Sequence, residues 1–195
     1  MAWSSLDLVV LGPPGSGKGT QARRVAERYS IPHVSTGDVL RAESASGTPM
    51  GDEIRSFLSS GTLVPDRVVG GLVQSRLDRA DCARGFLLDG FPRNLEQVAL
   101  LDGLLAEMGR GLERVVVIDV SDEVAVARLT AGPASLLGEH RDDVARTRIA
   151  SWRQHAADVT GLYRDRGLRL EVDGDRPPDA VTDAVLRAVG MPVIA

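Results

Sequence analysis

Nine residues near the start of the chain have the composition of a phosphate-binding loop. Residues 12–20 read Gly-Pro-Pro-Gly-Ser-Gly-Lys-Gly-Thr, which satisfies the pattern G-x-x-x-x-G-K with the hydroxyl residue one place later than usual. Glycines let backbone N–H groups turn inward around phosphate oxygens, and a helix that begins there adds partial positive charge. The thin stem of Lys18 can carry an ammonium to the β- and γ-phosphates, a slot that arginine's broad fork fits poorly. The pattern predicts a nucleoside triphosphate site.

Lys18 is also unusual in the composition of the whole chain. Of the 23 basic residues, Lys18 is the only lysine and the others are arginine. A codon bias toward G and C would explain the arginines, but it does not explain why this one position remains lysine. The formal net charge is −4, and this acidic balance argues against a nucleic-acid-binding protein, which normally carries a basic surplus.

Short apolar runs alternate with helical patterns, and they are the elements that would position the loop. A valine-rich run at residues 6–11 leads directly into it, and further runs follow at 31–34, 86–89, 115–120 and 168–172. Strands that alternate with helices predict an α/β fold in which helices cover both faces of a parallel sheet.

Local signals refine this pattern. Ser35 and Asp38 have the spacing of a capping box and predict the start of a helix, and Pro177 suits the first turn of the closing helix. Residues 41–64 and 130–140 do not fit the alternation, and we interpret them as candidates for mobile lobes over a site.

Length and composition indicate one globular domain. The chain has 195 residues, of which 43% are hydrophobic and 26% charged. No apolar run approaches the roughly 20 residues that span a bilayer, and the first residues lack the features of a signal peptide. One cysteine, Cys82, excludes a disulfide framework and a cysteine-based zinc site, while His33, His140 and His155 lack metal-ligand spacing. We expect a cytoplasmic protein with no membrane partner and no structural zinc.

Three blocks of sequence resemble the signature blocks of the adenylate kinases, in the same order and at similar spacing. They are residues 15–22 (Gly-Ser-Gly-Lys-Gly-Thr-Gln-Ala), 35–41 (Ser-Thr-Gly-Asp-Val-Leu-Arg) and 89–93 (Asp-Gly-Phe-Pro-Arg). The likeness covers nearly the whole chain. It implies a single P-loop NTPase domain over residues 1–195 with a five-stranded parallel sheet. It also implies a nucleoside-monophosphate-binding lobe at 35–64 and a short lid at about 129–145.

The resemblance assigns a set of residues to the donor, ATP. Arg128 takes the place of the arginine that stacks on the donor adenine, and the segment around Arg176 resembles the loop beside that base. Asp89 would hold Mg²⁺, through water. The catalytic residues would be Lys18, Arg93 and Arg148, which neutralise the phosphates during transfer. The implied ATP-binding residues are Gly15, Ser16, Gly17, Lys18, Gly19, Thr20, Arg128 and Arg176.

A second set is assigned to the acceptor, AMP. Arg41 and Arg93 would bind its α-phosphate, and Thr36 would line the base pocket. Gln97 occupies the place of the glutamine whose amide matches the N1 and N6 edge of adenine. Pyrimidine-specific relatives have alanine in place of Thr36 and a different continuation after Arg93, so AMP is favoured. The implied AMP-binding residues are Thr36, Arg41, Thr62, Leu63, Val64, Gly90, Arg93, Gln97 and Arg148.

The expected lid departs from the family pattern. Gly132 stands where relatives have a phosphate-binding arginine, and the apolar run Pro-Ala-Ser-Leu-Leu follows it. The exit of the lid aligns in two ways: without gaps, Leu137 or a neighbour takes the place of the exit arginine, whereas a three-residue deletion brings His140 or Arg141 near it. Both alignments remain open.

The absence of the lid arginines affects the expected rate of phosphoryl transfer. Arginines that act on a transferring phosphate can be worth a factor of about 10³ or more. Their loss would leave a slow enzyme unless Arg141 or Arg146 substitutes. The sequence therefore predicts a monomeric phosphotransferase that converts Mg-ATP and AMP to two ADP. The alternatives are a kinase for another nucleoside monophosphate or phosphorylated metabolite, and a nucleotide-binding sensor of low activity.

Overall fold

The computed structural model describes residues 5–60, 64–131 and 141–190, apart from the side chains of Ser60 and Arg141. Strands and helices alternate along these residues. The strands are β1 (Leu6–Leu11), β2 (His33–Ser35), β3 (Gly85–Asp89), β4 (Arg114–Asp119) and β5 (Arg169–Asp173). The helices are α1 (Lys18–Tyr29), α2 (Thr36–Ser44), α3 (Pro49–Ser60), α4 (Asp66–Leu77), α5 (Leu95–Glu107), α6 (Asp122–Thr130), α7 (Arg141–Asp165) and α8 (Pro178–Val189), and a 3₁₀ turn spans Ala80–Cys82.

The five strands form one parallel sheet in the order β2-β3-β1-β4-β5. The prediction of an α/β fold with a five-stranded parallel sheet is confirmed. All the carboxyl ends lie at one edge because the strands are parallel. The chain moves outward from β1 to β2 and later crosses β1 to reach β4, so a crevice opens at that edge, where ligands bind in sheets of this kind.

Two apolar layers cover the sheet. Along β1, Leu8 and Val10 face α1 and α8, whereas Val9 and Leu11 face the opposite layer with α4, α5 and α7. This alternation follows from the two-residue period of a strand, and it explains why residues 8–11 of β1 are apolar at both odd and even positions. The helices therefore hold β1, and the loop that follows it, rigidly from both sides.

The end of α1 explains why β2 begins later than the sequence pattern predicts. Ser30 adopts a left-handed conformation (φ +53°) as the C-cap, and the Ile31 N–H bonds to the Ala26 carbonyl at 3.0 Å. Ile31 therefore completes the helix end, and the strand starts only at His33. At the other end of β2, the Ser35 hydroxyl accepts a bond from the Asp38 N–H at 3.3 Å, as the capping-box spacing predicts.

The structure describes the two expected lobes to different extents. The range 35–64 contains α2 and α3, while its residues 61–63 lie outside the described residues. The range 129–145 contains the end of α6 and the start of α7, with residues 132–140 outside the described part. Their roles as acceptor lobe and lid stay predictions.

The closing helix begins one place later than the sequence predicts. Pro177 is the N-cap of α8, and Pro178 is its first residue.

Candidate active site

The glycine loop turns tightly between β1 and α1. Gly15 and Gly17 have φ angles of +85° and +80°, which L side chains rarely adopt. A Cβ at Gly15 would lie 2.4 Å from the carbonyl oxygen of Ala125 in α6, so only glycine fits there. The Ser16 side chain is buried, and its oxygen accepts a bond from the Lys18 N–H at 3.4 Å. The loop thus places the start of α1, with the partial positive charge of a helix N-terminus, at the carboxyl edge of the sheet.

Four charged side chains converge beside this loop: Lys18 opens α1, Asp89 ends β3, Arg93 lies between β3 and α5, and Arg148 lies on α7. Burial lowers the pKa of the Lys18 ammonium, the negative charge of Asp89 opposes that shift, and the positive charges of Arg93 and Arg148 reinforce it. The same surroundings act on Arg93: protein atoms around its guanidinium lower the pKa, Asp89 opposes this and Arg148 adds to it. Three cations therefore share one space with one carboxylate, which leaves a positive charge that an anion can neutralise.

Asp89 ends β3 and has one free carboxylate oxygen. Its Oδ2 lies 3.4 Å from the Nε2 of His33, and it would be 3.4 Å from a Cβ at Gly19. Its Oδ1 is buried without a hydrogen-bond partner among the described residues. A buried carboxylate oxygen without a donor is costly, and a hard cation or the water around it would satisfy it. Asp89 therefore fits the predicted Mg²⁺ site.

Thr36, Gly90 and Arg93 pack into a compact seam next to this cluster. The buried Thr36 hydroxyl donates to the Asp89 carbonyl at 3.1 Å. Gly90 has φ +86°, and a Cβ there would lie 2.7 Å from that hydroxyl. The Arg93 Nε donates to the Gly90 carbonyl at 2.8 Å, which aims the guanidinium and leaves its two outer nitrogens for a ligand.

Gln97 lies at the start of α5, is 5% exposed, and takes part in a polar network. Its Oε1 accepts the Arg93 N–H at 2.7 Å, and its Nε2 donates to Asp66 Oδ1 at 2.6 Å. Asn94, the N-cap of α5, accepts the Gln97 N–H at 2.8 Å and donates to Asp66 Oδ2 at 2.8 Å. The Gln97 amide keeps one further N–H and one further lone pair, so these bonds leave it able to pair with a base.

Arg41 is not among the charges that shift the pKa of Lys18 or Arg93. It is exposed on α2 and forms an ion pair with Asp38 at 2.5 Å. The hydrogen bond from Arg41 lowers the pKa of the Asp38 carboxyl. Val64 is buried in the core cluster that includes Phe91 and Val98, whereas Thr62 and Leu63 lie outside the described residues.

The two arginines assigned to the donor base are both exposed. Arg128 is in the last turn of α6, and Arg176 donates to Asp173 Oδ2 at 2.9 Å after β5. Neither arginine is among the charges that shift the pKa of Lys18. Asp175 accepts the Ser121 N–H at 3.0 Å and so ties the loop after β5 to the start of α6. The lid positions between Gly132 and His140, together with the side chain of Arg141, lie outside the described residues.

Two residues beside the site were not assigned a role from the sequence. His33 reaches Asp89 because β2 and β3 are paired with His33 opposite Leu87, which puts both side chains on one face. Asp66 reaches Gln97 because α4 and α5 start side by side. The only signal for His33 was its position two residues before Ser35, and nothing in the local sequence of Asp66 pointed to Gln97.

Neither a cluster of metal-binding side chains nor a membrane-spanning helix is present in the described residues. Residues 5–60, 64–131 and 141–190 contain no group of three or more histidine, cysteine, aspartate or glutamate side chains that could hold a metal ion. Within the same ranges, no helix combines the length and the apolar character that crossing a membrane requires.

The chain is similar to known adenylate kinases over most of its length. Residues 10–168 match the family model described as adenylate kinase. An adenylate kinase of Xylella fastidiosa (strain 9a5c) is 46% identical over 185 residues, which are 94% of this chain and 98% of that protein. An adenylate kinase of Xanthomonas campestris pv. campestris (strain 8004) is 44% identical over the same shares of the two chains.

Proposed function

The chain belongs to the adenylate kinase family, and we propose that it transfers the γ-phosphate of Mg-ATP to AMP. A phosphate oxygen of AMP forms a bond to the γ-phosphorus, and the bond from that phosphorus to the β,γ-bridging oxygen breaks. Both products are ADP. The attacking oxygen is already deprotonated at neutral pH, so the reaction needs no general base, and the protein's task is positioning and charge neutralisation.

The convergence of Lys18, Arg93 and Arg148 is the observation that carries this proposal. Two anionic phosphate chains must be held end to end, and they repel each other strongly. Cations that are fixed before the ligand arrives lower the energy of the transferring phosphoryl group without reorganising during the reaction. Burial is the main cause of the lowered pKa values of Lys18 and Arg93; neighbouring positive charge adds to both shifts, and Asp89 opposes them.

Each cation has a different origin and therefore a different task. Lys18 lies at the start of α1, beside the loop that would wrap the β- and γ-phosphates. Arg93 is aimed by the Gly90 carbonyl and is tied through its backbone to Gln97, so it belongs to the acceptor side. Arg148 comes from α7 and would close on the phosphate that moves between them.

Mg²⁺ is part of the proposal, with Asp89 as the residue that would hold it through water. The Oδ1 of Asp89, which has no hydrogen-bond partner in the part of the chain that the structure describes, supports this assignment. When bound, the ion would neutralise charge on the β- and γ-phosphates. Asp89 is kept in place by β3 and by the Thr36 bond to its own carbonyl.

AMP is the proposed acceptor because the bonds of the Gln97 amide to described residues leave it one donor and one acceptor next to Arg93. Relatives that cover 94% of this chain carry the name adenylate kinase, which supports the same acceptor. We also propose a monomer, since all the assigned residues come from one chain. A cytoplasmic location is proposed because the reaction needs a compartment that holds both ATP and AMP.

The proposal is tested by measuring ADP formation from ATP with AMP, CMP, UMP and GMP. We expect turnover with AMP, and we expect Arg148→Ala to lower kcat by a factor of about 10² to 10³. Arg164→Ala is the matched control, because Arg164 lies on the same helix but pairs with Asp165 far from the loop. ATP binding without turnover of any acceptor would refute the kinase, and turnover of CMP or UMP but not AMP would refute the role of Gln97.

The arginine-poor lid is tested in the same assay with Arg146→Ala. If Arg146 substitutes for a missing lid arginine, its loss lowers kcat while the KM for AMP changes little. If neither Arg146 nor Arg141 acts on the phosphate, single alanine substitutions leave kcat unchanged. A fast wild-type enzyme with that second result would show that the lid needs no additional arginine.

A further inference from the structure

We propose that Asp66 determines the specificity for the acceptor base by fixing the orientation of the Gln97 amide. This inference rests on the proposed function, because it concerns how the AMP site tells one purine from another. Asp66 is a positioning residue: it contacts Gln97 and Asn94, and it is not assigned any contact with the nucleotide.

The geometry places both oxygens of Asp66 in the network. Oδ1 lies 2.6 Å from Gln97 Nε2 and Oδ2 lies 2.8 Å from Asn94 Nδ2. Asp66 is the first residue of α4, and the other two residues open α5. The carboxylate thus joins the first turns of two helices, one of which follows directly from Val64 in the predicted acceptor site.

The chemistry of the partners leaves the amide one orientation. A carboxylate only accepts hydrogen bonds, so the group facing Asp66 must be the NH₂ of Gln97. A backbone N–H only donates, so the group facing Arg93 N must be the Gln97 oxygen at 2.7 Å. Asp66 and the Arg93 N–H therefore require the same orientation of the Gln97 amide. A flipped amide would put its oxygen against the carboxylate and its NH₂ against the Arg93 N–H, and both contacts would be repulsive.

A fixed amide distinguishes adenine from hypoxanthine, which has nearly the same shape. Adenine offers an acceptor at N1 and a donor at N6, which pair with the remaining N–H and lone pair of Gln97. Hypoxanthine offers a donor at N1 and an acceptor at O6, so it requires the flipped amide. Asp66 makes that flip costly, and IMP is therefore rejected although Gln97 itself could bind either base.

Asp66 could otherwise serve only to hold the two helices together. The two roles make different predictions for Asp66→Asn. If Asp66 only holds the two helices together, its replacement lowers kcat/KM for AMP and IMP by the same factor, because both nucleotides use the same site. Loss of orientation lowers kcat/KM for AMP and raises it for IMP. The amide introduced by Asp66→Asn can donate to the oxygen of a flipped Gln97, so only the Arg93 N–H then opposes the flip.

The experiment compares AMP and IMP as acceptors at saturating ATP in the wild type and in D66N. We expect the AMP-to-IMP ratio of kcat/KM to fall at least about tenfold in D66N, with the IMP value itself rising. The matched control is D78N, since Asp78 is exposed at the other end of α4. It should leave the ratio unchanged. D66S serves the same purpose if D66N does not fold, because serine can also donate to the flipped oxygen.

The outcomes separate the two proposals. A ratio in folded D66N or D66S within about twofold of the wild type would overturn the inference about Asp66 and leave the kinase in place. A wild type that turns over AMP and IMP equally well would do the same. A wild type without AMP turnover would overturn the proposed function and this inference with it.

Discussion

Replacing Gly90 by alanine tests whether the seam between Thr36 and Arg93 is the acceptor site. Gly90 has φ +86°, and its new Cβ would lie 2.7 Å from the Thr36 hydroxyl and 3.5 Å from an Arg93 nitrogen. A contact of 2.7 Å is too short for a methyl group, so the Thr36 side chain must move. It then loses its bond to the Asp89 carbonyl, which is 3.1 Å long.

The expected cost has two parts. A left-handed alanine costs about 1–2 kcal/mol relative to glycine. The buried hydrogen bond of Thr36 adds about 1–3 kcal/mol when its carbonyl partner is left unpaired. The sum is about 2–5 kcal/mol, and at about 2–4 °C per kcal/mol for a chain of this size the Tm falls by about 4–20 °C.

Gly109→Ala is the matched control. Gly109 also has a positive φ, +67°, but a Cβ there meets nothing within 4 Å. It should show the conformational cost alone, a Tm decrease of about 2–8 °C, with unchanged kinetics. The difference between the two variants isolates the contact with Thr36.

The assay is steady-state kinetics with each substrate varied in turn, together with thermal unfolding. We expect Gly90→Ala to raise the KM for AMP about tenfold, the equivalent of one lost hydrogen bond, while the KM for ATP stays within about twofold. An equal rise in both KM values, or a Gly90→Ala variant indistinguishable from Gly109→Ala, would refute the reasoning.

Three other predictions concern charge. Lys18→Arg keeps the charge but should lower kcat at least about a hundredfold, because the broad guanidinium does not fit beside the loop; near-wild-type turnover would contradict this. Asp7 is completely buried, and Arg110 Nε donates to it at 2.8 Å. Asp7→Ala should therefore lower the free energy of unfolding by about 3–5 kcal/mol, measured in urea, with kcat/KM unchanged. Burial, and then repulsion by Asp7, raise the pKa of Glu113 above its ordinary 4.5. The wild type should therefore lose stability relative to Glu113→Gln as the pH rises from about 4.5 to 7, and a constant difference between the two unfolding curves would argue against a raised pKa.

The sequence predicts the fold well because its signals are local. The valine-rich runs and the helical spacing depend on neighbouring residues, and they identify the five strands to within one or two positions. The error at β2 arose because Ile31 completes α1 through its N–H, which periodicity does not reveal. The glycine loop was equally predictable from the sequence, since its nine residues are contiguous.

The site is only partly predictable in this way. The resemblance to the adenylate kinases pointed to Arg93, Arg148 and Gln97 as site residues, but it did not indicate which residues surround them. His33 beside Asp89 depends on the pairing of β2 with β3, and the network at Gln97 depends on Asp66 from another helix. These contacts join residues that are far apart in sequence, so no local pattern encodes them.

The sequence alone determined that this chain has a triphosphate loop on an α/β core and that its one lysine stands in that loop. Glycine and lysine at fixed spacing are sufficient for that conclusion, because the loop makes its chemistry from adjacent residues. Only the tertiary structure decided that three cations and one carboxylate share a space, and that the Gln97 amide has one orientation. Those features depend on sheet order, helix contacts and the donors or acceptors that face each group, which exist only once the chain has folded.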